Sequence, residues 1–110
     1  MPRLIFRAAA RRELAGIAAS ILRESGDRIA AENVVDQLIK HCEHIAALPG
    51  LLGRARPELG RDYRSVSFGN HVILMRYADQ DGPRSHLYVV HIVDGRRDLG
   101  AYLSRQGPSR

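Results

Sequence analysis

Five histidines, one cysteine and a set of arginines are the side chains through which this 110-residue chain could do chemistry. His41 and His44 stand three apart, which puts them on neighbouring positions of one helix face. No His-Glu-x-x-His pattern, second cysteine or suitably spaced carboxylate completes a site there, so neither a metal nor another cofactor is expected. His71 reads as a solvated strand end, and His91 as a hydrogen-bonded histidine in mid-strand. Cys42 falls within an apolar helix stripe and reads as a buried, inert thiol. Ser65, Ser67, Ser85 and Ser104 lack the Gly-x-Ser-x-Gly elbow of a nucleophilic serine. Gly50-Leu-Leu-Gly53 precedes no Lys-Ser/Thr pair, which removes the phosphate-cradling loop.

The arginines remain. Arg64 and Arg76 are expected on adjacent strands, with Arg96 and Arg97 where the last strand ends. Guanidinium groups can stabilise a pentavalent phosphate while Tyr77, Tyr88, Tyr102 or His91 moves protons, so metal-free RNA cleavage is one chemistry open to this set. The plainer reading pairs Arg64 and Arg76 across strands with Asp62, Asp79 or Asp98.

Composition bounds the rest. Lys and Arg number 17 against 12 Asp and Glu, a net charge of +5, and Lys40 is the only lysine. Such a surface suits nucleic acid or an acidic protein segment. The length, with 45% apolar residues, fits one domain over residues 1–110 with a loose tail from about residue 106. A lone cysteine excludes an intrachain disulfide. No apolar run reaches signal-peptide or membrane-span length, and a cytoplasmic protein without membrane partners is expected.

The elements that must position these groups follow from periodicity. Leu4-Ile5-Phe6 is a short first strand. Leu14, Ile17, Ala18, Ile21 and Leu22 form one stripe of a helix from Ala8, with Arg11, Arg12, Glu13, Arg23 and Glu24 outside it. Gly26 suits the left-handed position after that helix, and Asp27 suits the cap of the next. Ala31, Val35, Leu38, Cys42 and Ile45 line the second helix, which Pro49-Gly50 ends, and so short a linker makes an antiparallel hairpin.

Residues 49–60, with three glycines and two prolines, read as an ordered loop. Tyr63–Phe68 and His71–Ala78 flank the two-residue turn Gly69-Asn70, and His86–Asp94 follows a polar connection. The last strand is apolar on both alternating sides (Leu87, Val89, Val93 against Tyr88, Val90, Ile92), which places it centrally. A short helix carrying Leu99, Tyr102 and Leu103 closes the chain. The fold class is therefore α+β: an antiparallel sheet, made of the N-terminal strand and a three-stranded meander, backed by an α-helical hairpin. In the second strand of the meander Val72 and Leu74 face one way and Ile73, Met75 and Tyr77 the other. The sheet face away from the hairpin needs a cover, either the C-terminal helix or a partner.

Several segments in order resemble the ParE branch of the RelE/ParE toxin superfamily. They are the first strand with Arg7-Ala-Ala-Ala-Arg-Arg-Glu-Leu14, the Pro49-Gly to Arg56-Pro-Glu-Leu-Gly60 loop, Arg64-Ser65, Gly69-Asn-His-Val-Ile73 and Asp94-Gly-Arg-Arg-Asp-Leu99. The resemblance implies the toxin of a type II toxin–antitoxin pair, of the kind that stabilises plasmids. Such a toxin arrests growth by binding DNA gyrase, is neutralised in a hetero-oligomeric complex by a ParD-like antitoxin, and meets operator DNA only through that antitoxin. It implies a binding inhibitor and no catalytic residue. The alternative is the RelE-like mRNA endoribonuclease acting on the ribosome, whose lysine-rich set this chain lacks. Related sequences commonly carry His-Gly-x-Arg-Asp at the closing motif, and Asp94 stands at the histidine position. On this resemblance the antitoxin is expected on Ile73, Met75, Tyr77, Tyr88, Val90 and Ile92, steered by Arg64 and Arg76, or in the groove beside the first helix. The target surface is expected at Arg96, Arg97, Leu99, Tyr102 and Leu103.

Overall fold

The computed structural model describes residues 2–78, 85–96 and 100–102. The chain runs β1 (Arg3–Phe6), α1 (Ala8–Ser25), α2 (Arg28–Ala47), β2 (Arg54–Ala55), β3 (Tyr63–Phe68), β4 (His71–Ala78) and β5 (His86–Asp94). A helical segment follows at residues 100–102. The five strands form one sheet in the order β1-β5-β4-β3-β2.

Local chemistry sets the helix ends. Gly26 is left-handed at φ 68°, and its N–H donates to the Leu22 carbonyl at 2.8 Å, closing α1. The Asp27 carboxylate accepts from the Ala30 N–H at 3.0 Å and opens α2. Only these two residues separate the helices, so α1 and α2 fold back as the expected hairpin. Leu14 and Ala10 of α1, with Leu38, Cys42 and Ile45 of α2, pack on Ile73, Met75, Leu87, Val89 and Ile92 of the sheet. Each fully buried aliphatic side chain there stabilises the fold by about 2 kcal/mol. Leu22, expected in the inner stripe, is 45% exposed.

β3, β4 and β5 are the expected antiparallel meander, and Gly69 takes φ +59° in the two-residue turn. Two features depart from the sequence reading. β1 pairs with β5 in parallel, from Arg3 opposite His86 to Phe6 opposite Val89, because the helical hairpin returns the chain to the far side of the sheet. The loop expectation for residues 49–60 misses β2, whose Arg54 and Ala55 pair with Ser65 and Arg64. A two-residue strand has no alternation to read. Its approach depends on Gly53 at φ +87°, where a Cβ would stand 2.7 Å from the Ser65 carbonyl oxygen.

One bulge decides which side chains share a face. Leu74 pairs with His91, but Met75 pairs with Val89, which leaves Val90 as the extra residue of β5. Leu87 and Val89 point toward the helices, and after the bulge Ile92 does so as well. Val90 and Val93 join Leu74 on the opposite face, with Leu59, Tyr63, Val72, Tyr88 and Tyr102 against them. Simple alternation puts Ile92 and Val93 on the wrong sides.

Candidate functional site

β1 ends at Phe6, and the Arg7 N–H bonded to the Val89 carbonyl at 2.9 Å is its last tie to β5. Beyond Val89 the outer edge of β5 has no strand beside it among the described residues, and α1 stands over it instead. Between them runs a groove of about 830 Å³, lined by Glu13, Gly16, Ser20, Ile92, Arg96 and Tyr102 among others.

Glu13 is the organising group at the inner end of this groove. Its Oε1 accepts from the backbone N–H of Ile92 at 2.9 Å. Its Oε2 lies 2.9 Å from His91 Nδ1 and also accepts from the Tyr102 hydroxyl. One carboxylate therefore ties α1, β5 and the C-terminal segment together. Facing a carboxylate, Nδ1 carries a proton, and Nε2 is buried with no hydrogen-bond partner among the described residues. His91, 2% exposed, is the hydrogen-bonded mid-strand histidine expected from sequence. Sequence reading placed Glu13 outside the apolar stripe. The missed signal is its spacing, three residues after Ala10 and four before Ile17, which are both on the packed face.

At the groove mouth Asp94 and Arg96 form a closed pair. The Asp94 carboxylate accepts from the Arg96 backbone N–H at 2.9 Å, from Nε at 3.1 Å and from Nη2 at 2.9 Å. These hydrogen bonds hold the Asp94 carboxyl well below the usual carboxylate range. Tyr102 joins Arg96 in lining the groove. Arg97, Leu99 and Leu103 lie outside the described residues.

The side chains expected to share a single partner-binding strand face are divided between two. Ile73, Met75, Tyr77 and Ile92 are 0–3% exposed beneath the helices, so they serve the core and offer no surface in this fold. Tyr88 and Val90 lie on the opposite face, Val90 nearly buried. Arg64 and Arg76, expected together, also separate. Arg64 lies on the helix side, where it donates to the Leu52 carbonyl at 2.9 Å and the Gly53 carbonyl at 2.6 Å. It clamps the β2 loop and makes no cross-strand ion pair among the described residues. Arg76 is exposed on the opposite face, between Tyr63 and Tyr88. Tyr77 accepts from the Leu52 N–H at 3.3 Å, which occupies its hydroxyl in the same clamp.

Cys42 is fully buried, and burial pushes its thiol up to about 12. His41 stacks on Phe68 with ring centroids 4.3 Å apart, and burial foremost, with His44 nearby, lowers its pKa. Among the described residues no group of three or more His, Cys, Asp or Glu side chains gathers to hold a metal ion. No described helix is long and apolar enough to cross a membrane.

The sheet order, the helical hairpin and the groove are an α+β arrangement consistent with the RelE/ParE-like fold. Comparison with curated proteins returns no match. A family model described as the ParE toxin of the type II toxin–antitoxin system parDE matches residues 4–99, so the chain belongs to the ParE toxin family of type II toxin–antitoxin systems.

Proposed function

We propose that this toxin arrests growth by binding DNA gyrase without catalytic turnover, and that a ParD-like antitoxin neutralises it by filling the groove along α1. The observation that carries the non-catalytic reading is the dispersal of the groups RNA cleavage would need. Arg64 and Arg76 lie on opposite faces. His91 is buried with its Nδ1 committed to Glu13, and Tyr77 is buried in the β2 clamp. A phosphate held by Arg76 therefore has Tyr88 across the strand but neither Arg64 nor His91 beside it, so the second guanidinium and the imidazole that cleavage would draw on are missing from that face.

The groove supports the antitoxin seat. It joins an apolar floor, with Ile17, Ile21 and Ile92, to polar groups at the rim, which is the anatomy of a recognition site. Arg96 and Tyr102, two residues of the expected target surface, line the same groove. An antitoxin segment seated there covers both, and occlusion then accounts for neutralisation. The chain acts in the cytoplasm, where gyrase and its DNA are found.

The test is induced expression without antitoxin, read by gyrase supercoiling and cleavage assays beside message integrity. Growth arrest with gyrase-linked DNA breaks and intact message is the expected result. Cleaved message with normal supercoiling would refute the reading in favour of the ribonuclease branch. For the groove, Gly16→Phe is expected to weaken antitoxin capture at least tenfold, since a glycine with nothing within 4 Å of its Cβ position becomes an obstruction on the groove wall. Unchanged capture would move the antitoxin elsewhere.

A further inference from the structure

The sheet face away from the helices carries a row of side chains that the toxin reading does not use. The register sets Tyr63 opposite Arg76, Arg76 opposite Tyr88, and Tyr88 opposite Ile5. Arg56 extends the row past Tyr63, its N–H bonded to the Tyr63 carbonyl at 2.9 Å. At the other end the Arg7 guanidinium lies over the Tyr88 ring, 5.2 Å from its centroid. Basic and aromatic groups thus alternate across β3, β4 and β5, with neighbours about 5 Å apart by the spacing of strands, and Arg7, just past the end of β1, continues the order.

Among the described residues the charge of this face is one-sided. Across all five strands the only carboxylate is Asp94, and Arg96 engages it at the far end of β5. Arg3, Arg7 and Arg76 carry no carboxylate partner among the described residues. Glu58, 3.4 Å from Arg56, tempers the β3 end alone. Three guanidinium groups on one face of a small domain, with no carboxylate beside them among the described residues, repel one another, and an anion relieves that repulsion.

We propose that this row is a docking surface for a single-stranded nucleic acid, laid across the strands with phosphates on Arg76, Arg7 and Arg3 and bases against Tyr63 and Tyr88. Interleaved cations and aromatic rings fit a chain that alternates phosphate and base, whereas an acidic peptide needs the cations alone. The row offers phosphate and π-face contacts and reads no sugar, so DNA and RNA strands bind alike. A flat sheet presents nothing to enter a duplex groove, and a duplex binds more weakly.

The experiment is fluorescence anisotropy of the purified chain with labelled oligo-dT and oligo-U of about 12 nucleotides, a duplex of the same length, and poly-glutamate. With three phosphates neutralised, the affinity for either single strand falls about 20-fold between roughly 50 and 200 mM salt. Arg76→Gln, an exposed change, weakens single-strand binding at least threefold and flattens the salt dependence by about one phosphate contact. Arg12→Gln, which removes the same charge from exposed α1 surface, leaves both unchanged. Equal loss in the two variants, duplex binding as tight as single-strand binding, poly-glutamate binding as tight as the oligonucleotides, or no saturable binding at low salt would each overturn the proposal. Because the assay contains neither antitoxin nor gyrase, its outcome is separate from that of the toxin reading.

Discussion

Replacing Glu13 by alanine tests whether one carboxylate holds α1, β5 and the C-terminal segment together. The change removes the acceptor of the Ile92 N–H, of His91 Nδ1 and of the Tyr102 hydroxyl. The Glu13 side chain is only 14% exposed and that of His91 only 3%, so water does not freely replace what is lost. An orphaned buried donor costs about 1–3 kcal/mol. Two such donors, the Ile92 N–H and His91 Nδ1–H, set the loss at about 3 kcal/mol, with a gain of about 0.4 kcal/mol from alanine's helix propensity set against it. In a domain of this size that lowers Tm by about 12–15 °C. Urea titration followed by far-ultraviolet circular dichroism measures it: the midpoint falls and the slope m stays constant. Glu24→Ala, an exposed change on the same helix, moves stability by less than about 0.5 kcal/mol. If Glu13→Ala costs no more than Glu24→Ala, Glu13 is not the tie described above. A double-mutant cycle with His91→Leu isolates the pair, with an expected coupling of about 1 kcal/mol or more.

Further predictions concern the scaffold of the site. The Cys42 thiol stays protonated up to about 12 in the folded chain but ionises near 9.0 when unfolded. The unfolded state therefore binds fewer protons within that window, and stability falls as pH rises through it, by at most about 1.4 kcal/mol per pH unit. Cys42→Ala removes this part of the alkaline slope, and a slope identical in both proteins would contradict the assignment. Gly53→Ala combines a positive φ with a Cβ pressed against the Ser65 carbonyl, so a loss of about 2 kcal/mol or more is expected in thermal melts, together with faster proteolysis of the β2 loop. Asp27→Ala removes the α2 cap and costs about 1 kcal/mol, readable as a lower urea midpoint, whereas Asp27→Asn retains most of it.

How far function is legible in the chain differs from residue to residue. The family resemblance rests on local strings such as Arg-Pro-Glu-Leu-Gly and Gly-Arg-Arg-Asp-Leu, and it survives comparison over residues 4–99. The assignment of side chains to surfaces does not survive in the same way. The expected strand face with Ile73, Met75, Tyr77, Tyr88, Val90 and Ile92 assumed unbroken alternation, and one extra residue at Val90 shifted the parity of everything beyond it. Arg64 and Arg76 were paired by type, yet an even offset across the β3–β4 register would be needed to put them on one face, and the register gives Arg64 to Met75.

By itself the sequence determined the helical hairpin, the meander and the buried thiol, because each follows from interactions within a few residues: apolar spacing, the Gly26-Asp27 junction and the Gly69-Asn70 turn. Tertiary structure alone decided the parallel pairing of β1, the two-residue β2, the bulge at Val90 and the burial of Glu13 against His91. These depend on contacts between residues as far apart in the chain as Glu13 and Ile92. No local propensity records such contacts, since their stability comes from backbone donors and apolar surfaces that only the assembled sheet brings within reach.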